Sequence, residues 1–341
     1  MGRKFDLLTM TPKRKGILPP YCSSSPSPQL GEDLGEGPEG CDASLPLCPS
    51  PTSKTCRQGA AEQKDLARAT FAANRAQGHV SLTMAMGQRR ARRIKTREEG
   101  SLRVRFPNAC AGRPEAVLIN TAGGIAGGDR FGVDLELEAS AEIVVTTAAA
   151  EKVYRSLGPN ATFDLTAKLA DGAALTWLPR ETILFDRARF ARAVDIALAP
   201  TATLLFAETI VFGRAAMGET VQEGFFTDRW RVRRGGRLLF AENFRLDGPI
   251  ADRLGQAAIA GGHAAIGTVL MAPADDAMVA PVRTMADQFR GEVGISTWSG
   301  ALSGAIALAR LAAADGALLR HDLVVVLSAL SRHALPRIWL N

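Results

Sequence analysis

From His79 onward, apolar and polar residues alternate with a period of two. The segments HVSLTMAM, SLRVRF and RFGVDLELEA read as strands, and in the last of them Phe131, Val133, Leu135 and Leu137 fall on one face. A weak repeat runs through the same region. Leu137-x-x-x-Ala141-x-Ile143, Leu169-x-x-x-Ala173-x-Leu175 and Leu198-x-x-x-Ala202-x-Leu204 share one template, offset by 32 and 29 residues. Turn residues sit at the centre of each: Ala139-Ser140, Asp171-Gly172 and Pro200-Thr201. Each unit therefore reads as a short hairpin. Repetition at this period predicts stacked β layers, each burying a face against the next. Ordinary hairpins in a sandwich give the same pattern, so that alternative stays open at this level.

Beyond Ile250 the period changes. Residues 299–314 (SGALSGAIALARLAAA) and 318–332 (LLRHDLVVVLSALSR) are rich in Ala and Leu and free of proline. They read as two C-terminal helices within about 299–334, divided at Asp315-Gly316, a pair that suits a helix C-cap and turn. Leu319, Leu323, Val326, Leu327 and Leu330 give the second helix an apolar stripe whose default meaning is core packing. At the other end, nine of the 18 prolines fall in residues 1–51, interleaved with Ser and Gly, and no apolar period survives. Such a stretch buries too little apolar surface to offset the entropy of ordering. Residues 1–65 are expected to be a disordered extension, with a short helix over 61–76. The ordered part is then 70–341: a mainly β fold of stacked β layers, β-helix-like, with two C-terminal helices.

Composition narrows the function classes. The 341 residues carry 41 Lys+Arg against 35 Asp+Glu, and 46% are apolar, which excludes whole-chain disorder, collagen and coiled coil. The surplus of +6 does not by itself mark a nucleic-acid protein, and 6% aromatics disfavour a base-stacking surface. The most apolar window, about 257–273, is Ala/Gly-rich, interrupted by His263, and short of the ~20 strongly apolar residues of a membrane span. MGRKFDLLTMTPKRKG is not followed by the apolar core of a signal peptide. Five cysteines (Cys22, Cys41, Cys48, Cys56 and Cys110) form no CxxC pair, which points away from zinc and towards free thiols in a reducing cytoplasm.

Candidate chemistry begins at Asn120–Arg130, NTAGGIAGGDR. Two Gly pairs permit positive φ and close backbone approach. Neither GxxxxGK[ST] nor GxGxxG is present and a strand pattern follows Asp129, so the string reads as a double turn. Acids recur after the repeat units: Glu151 after the first, Glu181 after the second, Glu208 after the third. If the units stack, these carboxylates lie along one side, with Asp129 and Asp186 as further members, where a line of oxygens can hand along a divalent cation. The plainer alternative pairs each acid with a neighbouring Arg155, Arg180 or Arg187. A carboxylate-pair hydrolase using Glu181 and Asp186 also stays open, although nothing around them suggests aromatic sugar platforms. His79, His263, His321 and His333 are scattered, with no HExxH and no GxSxG, so nucleophilic catalysis finds little support. The run Arg89–Arg97 (RRARRIKTR) places six positive charges in nine residues between two strand patterns. It reads as a solvated hairpin loop, or as the contact of a β-solenoid interaction module for an acidic partner.

Four strings in order, NTAGGIAGGDRF, TTAAAEKVYRS, LTWLPRETILFD and the closing WSGALSGAIALARL…LPRIWLN, resemble the urease accessory proteins of the UreD (UreH) family. The likeness runs from about His79 to Asn341 and leaves out the extension and the arginine density of 89–97. It implies a non-enzymatic, mostly β scaffold with no tightly bound cofactor. Such a scaffold binds the apo-urease structural subunits, recruits UreF and through it the GTPase UreG, and is served indirectly by UreE. The resemblance further implies a cytoplasmic dimer within the accessory complex, no membrane or nucleic-acid partner, and an acidic passage for Ni2+ in transit. Carried over residue by residue, Asp129 of GGIAGGD is the first choice for a passage-lining acid and Glu208 of FAETIVFGR the second. Glu151 of AAEKVYRS and Glu181 of PRETILFD follow. Carboxylates and water hold Ni2+ more weakly than thiolate or imidazole, so the scarcity of His and paired Cys in 70–341 suits a conduit. The segment Trp298–Asn341 is expected at the UreF contact.

Overall fold

The computed structural model describes residues 74–88, 90–107, 113–156, 158–300, 304–331 and 333–340. The proline-rich stretch 1–65, almost all of the expected helix over 61–76, and the five cysteines lie outside the described residues.

Along the chain the strands are β1 (Gln77–Met86), β2 (Ala91–Gly100), β3 (Leu102–Arg105), β4 (Glu115–Asn120), β5 (Arg130–Leu137) and β6 (Glu142–Thr147). Next come β7 (Glu151–Val153), β8 (Ala161–Leu169), β9 (Ala174–Leu178), β10 (Thr182–Leu184), β11 (Arg189–Leu198) and β12 (Thr203–Phe212). The last are β13 (Glu223–Arg234), β14 (Arg237–Pro249), β15 (Ala265–Ala272), β16 (Glu292–Gly300) and β17 (Gly304–Ala313). Helices α1 (Ile250–Leu254), α2 (Asp276–Thr284) and α3 (Gly316–Leu330) are interspersed from β14 onward. One sheet has the order β14-β13-β11-β8-β5-β1-β2 and the other β16-β17-β15-β12-β9-β6-β4-β3. Short β10 pairs with β7 on one side and with the end of β12 on the other.

The chain passes from the first sheet to the second and back, so the fold is mainly β and stacked, as the repeat predicts. The repeat units are not hairpins, however. The two strands of each unit belong to opposite sheets, and each pairs in parallel with its counterpart one coil away. Leu137 lies beside Leu169, and Leu169 beside Leu198. Across the turn, Ile143 lies beside Leu175, and Leu175 beside Leu204. Ala141, Ala173 and Ala202 are fully buried at the turns, and Ala174 N bonds Ala141 O while Thr203 N bonds Ala173 O. The reason lies in the pattern: both strands of a unit carry inward apolar residues, so a unit can cover two opposed faces of one core.

A second core covers the outer face of the second sheet, where Leu205, Ala207, Val269 and Leu311 meet α2, α3 and the C-terminal tail. This layer corrects the reading of 299–314 as a helix: Gly304–Ala313 is strand β17. Ile306 and Leu308 enter the first core while Ala307, Ala309, Leu311 and Ala313 enter the second. With both faces covered, the polar half of the alternation disappears and an Ala/Leu run mimics a helix. The second expected helix is present as α3, with its apolar stripe buried. Asp315 starts that helix rather than ending a preceding one, its carboxylate accepting from Ala317 N and Leu318 N at 2.8 and 2.9 Å.

Most of the basic run is likewise strand and not loop. Arg92, Arg93, Lys95 and Arg97 lie in β2, the outermost strand of the first sheet, paired antiparallel with β1, while Arg90 stands in the turn before it. Lys and Arg on such an edge oppose pairing with another sheet. Among the described residues, no helix is long and apolar enough to cross a membrane.

Candidate functional site: carboxylates of the solenoid

Three inward positions break the apolar rule. β11 turns Phe190, Arg192, Val194, Ile196 and Leu198 into the space between the sheets, β12 turns Phe206, Glu208 and Ile210, and β13 turns Phe226, Asp228 and Trp230. Arg192 sits beside Asp228 in the β11–β13 register. Its Nε donates to Asp228 Oδ1 at 3.0 Å, its Nη2 to Asp228 Oδ2, and its Nη1 to Glu208 Oε2. Two indoles orient the acids. Trp177 Nε1 donates to Glu208 Oε1 at 2.9 Å, and Trp230 Nε1 to Asp228 Oδ1 at 2.6 Å. The side chains of Arg192, Glu208 and Asp228 are 3%, 4% and 9% exposed. With both acids ionised the group carries one excess negative charge in a low-dielectric interior. Burial pushes the Glu208 carboxyl up to about 7, against the pull of Arg192.

Asp129 is buried, with both oxygens engaged by backbone: Oδ1 accepts from Ala76 N at 2.9 Å and Oδ2 from Ala126 N at 2.7 Å. It thereby ties the Gly-rich turn to the segment entering β1. The turn needs its glycines for contact: a Cβ on Gly124 would lie 2.5 Å from the Tyr154 ring, and one on Gly127 2.0 Å from Ser156 Oγ. Glu181 lies in the break between β9 and β10, held by two hydrogen bonds from Arg320 of α3, with Arg180 Nε at 3.7 Å. Glu151 accepts from Asn120 Nδ2 at 3.0 Å. Burial raises its carboxyl above the usual range, the Asn120 bond working the other way.

The structure brings some of these acids together and separates others. Glu151 N donates to Glu181 O at 2.8 Å, so those two are neighbours in adjacent coils. Glu208 turns into the interior from β12, whereas Glu181 faces α3; Asp129 stands at the start of β5. Asp186 caps Gln222 N and Glu223 N, a different contact from that of Glu181. Among the described residues, no group of three or more His, Cys, Asp and Glu side chains has the arrangement of a metal site. Arg192, Asp228, Arg320 and the two indoles escape a search for acid strings. A usable signal for the first two is one charged residue within an apolar inward alternation, F-x-R-x-V and F-x-D-x-W, matching F-x-E-x-I around Glu208.

The family of UreD urease accessory proteins matches residues 76–340. The chain belongs to the UreD family. The urease accessory protein UreD of Rhodopseudomonas palustris strain HaA2 is 54% identical over 273 residues, covering 80% of this chain and 96% of that protein. The UreD of strain BisB5 is 51% identical over 290 residues, covering 85% and 99%, and that of strain CGA009 is 52% identical over 272 residues, covering 80% and 96%. The UreD match takes in both sheets, the three helices of the described residues and the tail, so Asp129, Glu151, Glu181 and the Arg192 cluster all fall inside it. The UreD relatives are named as urease accessory proteins.

Proposed function

We propose that this UreD-family chain is a non-enzymatic scaffold of urease maturation. It binds the apo-urease structural subunits, recruits UreF and through UreF the GTPase UreG, and offers Ni2+ that originates with UreE a polar route towards the urease active site. The observation that carries the reading is the family match over 76–340, which spans nearly the whole length of the relatives. Nickel is cargo in this scheme, and no cofactor resides in the chain. The acids suit transit, because protein donors hold each carboxylate and oxygen ligands keep Ni2+ less tightly than thiolate or imidazole. The complex works in the cytoplasm with two copies of this chain.

The UreF contact falls on the C-terminal region. Within it, Trp298 on β16, the outer strand of its sheet, is 47% exposed, whereas Trp339 of the LPRIWL tail is 2% exposed and bonded to Leu178 O. Of the two tryptophans, Trp298 is therefore the one available to a partner. Co-expression with the urease structural subunits, with and without UreF and UreG, tests the proposal. Affinity purification through this chain should bring down apo-urease, and nickel content and urea hydrolysis should appear only with the full set. A chain that purifies alone and leaves nickel loading unchanged would overturn it.

A further inference from the structure

We propose that Arg192 is a positioning residue that keeps Glu208 and Asp228 from trapping metal: it is the resident cation of a carboxylate pair that would otherwise retain a divalent ion. The inference rests on the passage reading above and concerns one of its acids, Glu208.

The geometry converges on a single spot. Trp177 takes one oxygen of Glu208, and Trp230 shares Oδ1 of Asp228 with Arg192 Nε. The remaining oxygens, Glu208 Oε2 and Asp228 Oδ2, both face the Arg192 guanidinium. Indole N–H groups donate and cannot ligate, so they fix the carboxylates without competing for a cation. A guanidinium is a planar monocation with five donors and no acceptor; it satisfies such oxygens by hydrogen bonding and cannot be deprotonated. A hard divalent ion seeks the same oxygens at ~2.0–2.6 Å, so the two cations exclude each other by charge and by space.

Stability does not account for the arrangement. A buried ion cluster is commonly matched or exceeded in stability by apolar residues of the same volume, and the neighbouring inward positions are Phe, Val, Ile and Trp. What the guanidinium adds is occupancy. It neutralises one of two buried carboxylates and engages both, so ions moving past Glu208 meet a site already filled. A conduit needs that property, because an open pair of oriented carboxylates would hold its cargo.

Equilibrium dialysis of Ni2+ against the purified full-length chain tests this. Wild type and Glu208→Gln should bind Ni2+ alike, because Arg192 closes the pair in both. Arg192→Gln, whose amide oxygen can join the two carboxylates, should gain about one equivalent of Ni2+ held about tenfold tighter than any wild-type site. Adding Asp228→Asn should abolish the gain. A folded Arg192→Gln chain without extra Ni2+ would overturn the proposal, as would wild-type binding that weakens on Glu208→Gln. The second comparison decides even where Arg192→Gln does not fold. Urease nickel loading in cells carrying Glu208→Gln reports on the passage reading of Glu208 alone: normal loading there removes Glu208 from the passage, while gain of metal by Arg192→Gln still stands or falls by itself.

Discussion

Arg320 grips Glu181 through two hydrogen bonds, Nε to Oε1 at 2.6 Å and Nη2 to Oε2 at 2.8 Å, across 139 residues of chain. The clamp joins α3 to the break between β9 and β10. Without Arg320, the buried Glu181 carboxylate keeps Arg180 at 3.7 Å as its cation. Breaking a fully buried pair costs about 3–5 kcal/mol. Because Arg320 is 30% exposed, Arg320→Ala is expected to cost less, about 2–3 kcal/mol. Arg320→Met combined with Glu181→Gln should recover most of it. Urea denaturation of the three chains checks this, and a single variant as stable as wild type would show that α3 docks without the clamp.

Register stacking makes the repeat positions sensitive to size. Leu169 lies between Leu137 and Leu198 and is buried, so Leu169→Ala should lose about 2–5 kcal/mol. Ala173 is fully buried at its turn, and Ala173→Leu should lose about 1–3 kcal/mol by overpacking. Two independent hairpins would feel the second change weakly, so denaturant midpoints of both variants probe the coil arrangement itself.

Asp129 is a staple as well as a candidate passage acid. Asp129→Ala leaves Ala76 N and Ala126 N without their acceptor, which should cost about 1–3 kcal/mol. Asp129→Asn retains one carbonyl acceptor and should lose less. Measured together, melting temperature and urease nickel loading separate the two roles: loading that falls in Asp129→Asn while the melt holds assigns the charge to transit.

The Glu208 carboxyl rises from an ordinary value of 4.5 to about 7. Between those values the folded chain keeps a proton that the unfolded chain has released, so stability falls as pH rises through this window and the loss is complete above the folded value. Glu208→Gln cannot ionise and should show a smaller drop in melting temperature from about pH 5 to about pH 8 than wild type. Superimposable pH profiles for the two chains would place the proton on another group.

Trp339 anchors the tail, its Nε1 bonding Leu178 O at 3.0 Å and Thr146 Oγ1 at 3.2 Å. Trp339→Ala should cost about 3–5 kcal/mol. Truncation after His333 therefore perturbs the fold before it reports on any partner. Trp298→Ala should leave the melt unchanged and weaken UreF capture, and pull-down beside a thermal melt distinguishes the two tryptophans.

Local pattern sufficed wherever one face of an element meets solvent or one face meets a single core. The alternation at Phe131, Val133, Leu135 and Leu137, the stripe from Leu319 to Leu330, and the spaced repeat of Leu, Ala and Ile are all written into neighbouring residues, because periods of two and 3.6 are local geometry. Acids were visible individually at Asp129, Glu151, Glu181 and Glu208. Which strand pairs with which was not, since pairing joins residues tens of positions apart and a turn flanked by two apolar strands serves a hairpin or a coil equally. The Gly304–Ala313 strand hid for a related reason: only the packed α3 layer makes its second face apolar. Likewise the partners of the acids, Arg192, Asp228, Arg320 and the two indoles, come from separate strands and a distant helix. Sequence alone determined the periodicity and the inventory of charges; the tertiary structure decided their pairing, because ion pairs and sheet registers are properties of space between segments rather than of any one segment.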